Sequence, residues 1–132
     1  MEAILAKEQG KAILVIDAST LGRNTVCRNL EYYGYGVIEA DSGENGLSAF
    51  RERQQEVSLV LLDTGLSQPS AKEVLEQLLE IDKFVKIVLS SDQIGSKTQA
   101  TNSSSGVIGV IRKPVQIDRL LKLVNRSLSE EQ

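Results

Sequence analysis

Five strand-length apolar runs, separated by amphipathic segments of helical period, constrain this 132-residue chain more than any other feature. Ala12-Ile13-Leu14-Val15-Ile16 is the first and is ended by Asp17. Val57 to Leu62 is nearly continuous and ends at Asp63. Val85 to Leu89, Val107 to Ile111 and the shorter Val37-Ile38-Glu39-Ala40 complete the set. Strands without polar alternation are buried on both faces, which a parallel sheet covered by helices on each side provides. The spacing predicts helices from Thr20 to Tyr33, closed by Gly34 and Gly36, and from Gly43 to Arg53, carrying Leu47 and Phe50. A third starts at the capping-box pattern Ser70-Ala71-Lys72-Glu73 and buries Val74, Leu75, Leu78, Leu79 and Ile81. The last repeats Ile117, Leu120, Leu121, Val124 and Leu128. Between strands four and five, Gln93 to Ser105 offers only Ile94 and Ala100 for burial, so a helix there is weakly anchored. With no repeat and no linker, the expectation is one domain over 11–128, an N-terminal extension over 1–10 and a C-terminal tail over 129–132. Five βα units suit a flavodoxin-like, doubly wound five-stranded parallel sheet of order 2-1-3-4-5; a barrel needs about 250 residues.

Composition then removes whole classes of chemistry. The chain has no histidine, which excludes Ser-His-Asp hydrolysis, imidazole metal ligands and a phosphohistidine carrier within it. A single cysteine, Cys27, excludes internal disulfides and cysteine-cluster metal sites, and suggests a reducing, cytoplasmic setting. Fifteen Lys and Arg against eighteen Asp and Glu give −3 with no basic cluster, so no direct nucleic-acid contact is expected. No apolar stretch approaches the ~20 residues that span a bilayer, and Met1-Glu2-Ala3-Ile4-Leu5-Ala6 is too short and acidic for a signal peptide.

In doubly wound sheets ligands bind beyond the carboxyl ends of the strands. Strand one ends at Asp17, strand three at Asp63 and strand four at Ser90-Ser91, and strand five runs through Arg112 to Lys113-Pro114. Two neighbouring carboxylates suit a hard cation such as Mg2+, which needs one or two of them plus phosphate oxygens and water. A lysine adds a point charge for a phosphoryl oxygen, and a serine hydroxyl donates to another. These parts describe phosphoryl transfer to a carboxylate.

In these residues the chain resembles a response-regulator receiver domain, the family of the chemotaxis response regulator, from about Lys11 to Leu128. The resemblance rests on Ile13-Leu14-Val15-Ile16-Asp17, Leu59-Val60-Leu61-Leu62-Asp63, Ala40-Asp41-Ser42-Gly43 and Gly106-Val107-Ile108-Gly109-Val110-Ile111-Arg112-Lys113-Pro114. It implies phosphorylation on Asp63, Mg2+ held by Asp17, Asp63 and the Gly65 carbonyl, and contact of Lys113 with the phosphoryl group. The peptide bond before Pro114 is expected to be cis. Ser91, whose distance from Lys113 suits the family better, or else Ser90, matches the switch hydroxyl. The implied partners are a sensor histidine kinase or phosphotransfer protein and a downstream effector, in a bacterial two-component relay. A homodimer is common among such domains, and nothing in this sequence argues for one.

The departures are specific. Ile16 stands where the family usually has the first of two adjacent acids, Ser67 where a proline usually follows the acceptor, Ser70-Ala71 where Asp-Gly is usual, and Val110 where an aromatic usually swings with the switch hydroxyl. One acid fewer leaves about −2 instead of −3 at the site, which weakens a metal without abolishing it. The alternative is therefore a pseudo-receiver, a phosphorylation-independent interaction module. Other classes fit less well. Asp17-Ala18-Ser19-Thr20 resembles the metal-adhesion motif of von Willebrand A domains, but Leu21 stands in place of its last serine. A haloacid-dehalogenase-type phosphatase needs an aspartate where Ser19 stands. Gly34-Tyr35-Gly36 follows a helix and lacks a third glycine, so it is no dinucleotide loop. Cys27, between Val26 and Leu30, reads as packing.

Overall fold

The computed structural model describes residues 11–92 and 106–130, with side chains through Ser127. The expected N-terminal extension and the weakly anchored helix over 93–105 lie outside the described residues, as does the end of the tail. Within them, β1 (Ala12–Ile16), α1 (Thr20–Tyr32), β2 (Gly36–Ala40), α2 (Gly43–Arg53), a 3-10 turn (Gln54–Glu56), β3 (Val57–Asp63), α3 (Ala71–Ile81), β4 (Ile87–Ser91), β5 (Val107–Arg112) and α4 (Ile117–Glu130) follow in order. All five strands are parallel, in the order β2-β1-β3-β4-β5.

Alternate residues of the central strands feed two cores. Leu14, Ile16, Val60, Leu62, Ile87 and Leu89 pack under α2 and α3, against Leu47, Phe50, Val74, Leu75 and Leu78. Ile13, Val15, Leu59, Leu61 and Val88 pack under α1 and α4, against Val26, Cys27, Leu30, Leu120 and Val124. Both faces of β1 and β3 are thus buried, which is why their sequences lack alternation. Each such side chain contributes about 1.5–3 kcal/mol by leaving water. Cys27 belongs to this packing: it is fully buried, and burial pushes its thiol from an ordinary 9.0 up to about 12.

Caps set the helix starts. Ser19 Oγ accepts from Gly22 N–H (3.1 Å), Ser42 Oγ from Asn45 N–H (3.0 Å) and Ser70 Oγ from Glu73 N–H (3.2 Å). Gly34 takes φ 92° after α1, the left-handed conformation that ends helices at little cost for glycine. Three boundaries differ from the sequence pattern. Gly36 is not part of the helix stop but opens β2, paired with Ala12. β4 starts at Ile87, not Val85, because Val85 N–H is used in a turn to the Asp82 carbonyl (3.1 Å), and it runs on through both serines. The 3-10 turn after α2, braced by Arg53 and Glu56, carries no apolar periodicity and leaves no signal of that kind.

Candidate functional site

The parallel sheet places the ends of β1, β3 and β5 on one edge, and three charged side chains meet there. Lys113 Nζ lies 3.0 Å from Asp63 Oδ1 and 3.3 Å from Asp17 Oδ2. Asp17 and Asp63 are both buried, at 6% and 7% exposure. Buried carboxylates persist as ions only when paired and hydrogen-bonded. Asp63 Oδ1 also accepts from Gly65 N–H (3.0 Å), and Asp17 Oδ1 from Ser19 N–H (2.9 Å). Burial is the largest single influence on the Lys113 ammonium and alone would lower its pKa. The hydrogen bond and charge of Asp63, and then those of Asp17, outweigh it and hold the pKa above the ordinary lysine value.

The backbone at these ends is tied to the sheet. Asp17 N–H donates to the Ala40 carbonyl (3.0 Å), Thr64 N–H to the Ser90 carbonyl (2.9 Å) and Lys113 N–H to the Ser91 carbonyl (2.8 Å). The Lys113–Pro114 peptide is cis, and so is Gln68–Pro69 in the loop where Ser67 bridges to Ser70. Ser90 and Ser91 are both buried; Ser90 is the register partner of Asp63, and Ser91 that of Arg112. Ile16, in the usual position of an acid, is fully buried in the α2/α3 core. A Cβ at Gly46 of α2 would lie 2.5 Å from its Cδ1, so the bare glycine makes room for it. Val110 pairs with Leu89 and packs partly buried on the same core.

The donor set fits a small hard cation. Two carboxylates face one position that an ammonium already favours, and oxygen ligands are what Mg2+ takes. Among the described residues no group of three or more His, Cys, Asp or Glu forms a metal cluster, so an ion here relies on these two acids, main-chain oxygen, water and phosphate. Of the residues singled out in sequence, Asp17, Asp63, Lys113 and Gly65 come together. Gly65 contributes its N–H to Asp63, a contact distinct from the carbonyl role that the resemblance implies. Arg23 was not foreseen: its Nη1 donates to the Asp17 carbonyl (2.8 Å). Nothing in the sequence marks it, because the contact arises from the packing of α1 beside the end of β1.

With this geometry in place, comparison with known proteins decides the family. The model for the response regulator receiver domain matches residues 13–125. This chain belongs to that family. It is 25% identical over 119 residues to the chemotaxis protein CheY of Bacillus subtilis, covering 89% of this chain and 97% of CheY. It is 29% identical over 119 residues to the protein PilH of Pseudomonas aeruginosa, covering 89% and 97% of the two chains. The crystal structure of a CheY-like receiver domain protein from Methanospirillum hungatei superposes with a TM-score of 0.83 at 25% identity, over 91% of this chain and 94% of that one. Other relatives are longer, and the chain spans 19% of one and 26% of another. The receiver domain therefore has the five-stranded CheY-like fold, and among its described residues no helix is long and apolar enough to cross a membrane.

Proposed function

We propose that this receiver domain, over 11–128, accepts a phosphoryl group on Asp63 from a phosphohistidine of a sensor kinase or phosphotransfer protein, as one step of a two-component relay in the cytoplasm. The observation that carries the reading is the Lys113 ammonium bridging two buried carboxylates at 3.0 and 3.3 Å. With no histidine in this sequence, the donor phosphohistidine belongs to another protein or domain. A free carboxylate oxygen of Asp63 attacks phosphorus in line; the new O–P bond forms as the N–P bond breaks, and the electron pair leaves with the donor's imidazole nitrogen. Asp17, Asp63 and the Gly65 carbonyl would hold Mg2+, which when bound supplies positive charge to the phosphoryl oxygens. Gly65 N–H and Lys113 fix Asp63 Oδ1, which orients the carboxylate before attack. Lys113 then neutralises charge on the transferring group, and the Ser91 hydroxyl, or that of Ser90, donates to one of its oxygens. The domain does not turn over free substrates; it is a stoichiometric acceptor whose state an effector reads.

The test is incubation with Mg2+ and a small acyl phosphate, followed by intact-protein mass spectrometry. The reading predicts a gain of one phosphoryl group in the wild type and none in Asp63→Asn. A specific observation favours a second reading, a pseudo-receiver: Ile16, buried at 0% exposure, leaves the site one acid short. No mass gain in the wild type, together with unchanged partner binding by Asp63→Asn, decides for that module.

A further inference from the structure

Besides its ion pair with Lys113, Asp17 is held at three points, and the third is unlike the others. Its N–H and one carboxylate oxygen are engaged by main chain nearby. Its carbonyl instead accepts from a guanidinium at the end of the first turn of α1, Arg23 Nη1 at 2.8 Å. That side chain is only 14% exposed, and its Nε lies 3.4 Å from Glu39 Oε1 on β2. Glu39 is itself steadied by Arg28, whose Nη2 lies 2.8 Å from Oε2, and Arg28 Nε lies 2.7 Å from Glu31. A long side chain is thus immobilised between the end of β1 and the neighbouring strand, with its planar fork spanning the two acceptors. The carboxylate of Asp17 projects from the residue so fixed, toward Lys113 at 3.3 Å.

We propose that Arg23, clamped by Glu39, is a positioning residue for Asp17: its fork fixes the Asp17 main chain so that the carboxylate faces the cation position beside Asp63. The proposal rests on the reading of Asp17 as a cation ligand. It makes a prediction opposite in sign to plain electrostatics. A guanidinium near a cation site repels the cation, so a bystander's removal tightens Mg2+ binding. Removal of a positioning residue loosens it, because an unfixed ligand must be ordered on binding.

The experiment is an amide NMR titration with Mg2+ alone on wild type, Arg23→Gln and Arg28→Gln. Arg28→Gln removes charge from the same network without touching Asp17, and so controls for general loosening of α1. Arg23→Gln is expected to weaken Mg2+ about tenfold, the low end for loss of a ligand-orienting group. Arg28→Gln is expected to change it less than about twofold, a small surface effect. Tighter or unchanged binding in Arg23→Gln, or equal weakening in both variants, overturns the proposal. If the wild type takes no Mg2+, the cation-ligand reading itself fails. The Ser19 amide proton, which donates to Asp17 Oδ1, then decides the positioning claim without metal. A shift in Arg23→Gln but not in Arg28→Gln supports it, and no shift in either overturns it.

Discussion

The two margins of the site are built on different principles. At the ends of β1 and β3, charged side chains hold one another: the buried Asp17 and Asp63 both face the partly exposed Lys113, which reaches them from just beyond β5, and each carboxylate is also fixed by an amide two residues on. At the ends of β4 and β5, main chain does the tying, through the Ser90 and Ser91 carbonyls, while the aliphatic Val110 stands partly buried beside them. The departures from the usual pattern touch both margins, Ile16 in place of an acid on the first and Val110 in place of an aromatic on the second, while Asp17, Asp63 and Lys113 stand. In the proposed function, the chemistry is kept in kind with one acid fewer, and the readout lacks its aromatic.

Substitutions can break that contrast directly. Lys113→Met removes a charge-assisted donor from the first margin and is expected to slow phosphorylation from an acyl phosphate by about 100-fold or more. The same variant should bind Mg2+ more tightly, since the ammonium no longer competes for the two carboxylates; slower labelling with weaker Mg2+ binding would count against the assigned role. On the second margin, Ser91→Ala removes one neutral hydroxyl donor, and about a fivefold slowing is expected from a bond of about 1 kcal/mol. Equal effects of the two variants would erase the distinction between the margins.

A smaller effect concerns how the missing acid is accommodated. Gly46→Ala places a methyl 2.5 Å from Ile16 Cδ1, and the overpacking, less the gain from replacing glycine in a helix, should cost about 1 kcal/mol in urea unfolding. In an Ile16→Ala background, which lacks Cδ1 and both γ-carbons that the added methyl meets, the cost of Gly46→Ala should largely vanish. Additivity of the two changes would show that the contact is not what the glycine serves.

A further effect, confined to alkaline solution, is on pH dependence. The Cys27 thiol keeps its proton to about 12 in the folded chain but titrates near 9.0 when unfolded. Between those values the unfolded state binds fewer protons, so stability falls as pH rises from about 9 and levels off above 12. Lys113, whose pKa is also raised on folding, adds a loss of the same sign once pH passes the ordinary lysine range. Thermal melts between pH 7 and 11 should show this decline, and Cys27→Ala should remove its earlier part.

Much of this was legible in the chain because its signals are local. Unbroken apolar runs specify strands buried on both faces, and a parallel sheet necessarily brings Asp17, Asp63 and Lys113 to one edge. The capping serine at 70 and the stop at Gly34 follow from side-chain and backbone chemistry within a few residues. What could not be read depends on register and on packing between elements. That Ser90, not Ser91, lies opposite Asp63 is a matter of how β3 and β4 align, which two adjacent serines leave ambiguous. That Arg23 reaches the Asp17 carbonyl depends on how α1 packs beside β1 and β2. The start of β4 was misplaced because Val85, though buried, spends its N–H on a turn.

The central claim is that Asp63 is a working acceptor assembled with Asp17 and Lys113. Titration of the wild-type domain with beryllofluoride and Mg2+, followed by amide NMR, addresses it most directly, because the adduct mimics the phosphoryl group without needing a donor protein. The account predicts saturable shifts at Asp63, Thr64, Gly65 and Lys113, all lost in Asp63→Asn. A spectrum unchanged at millimolar reagent would contradict it.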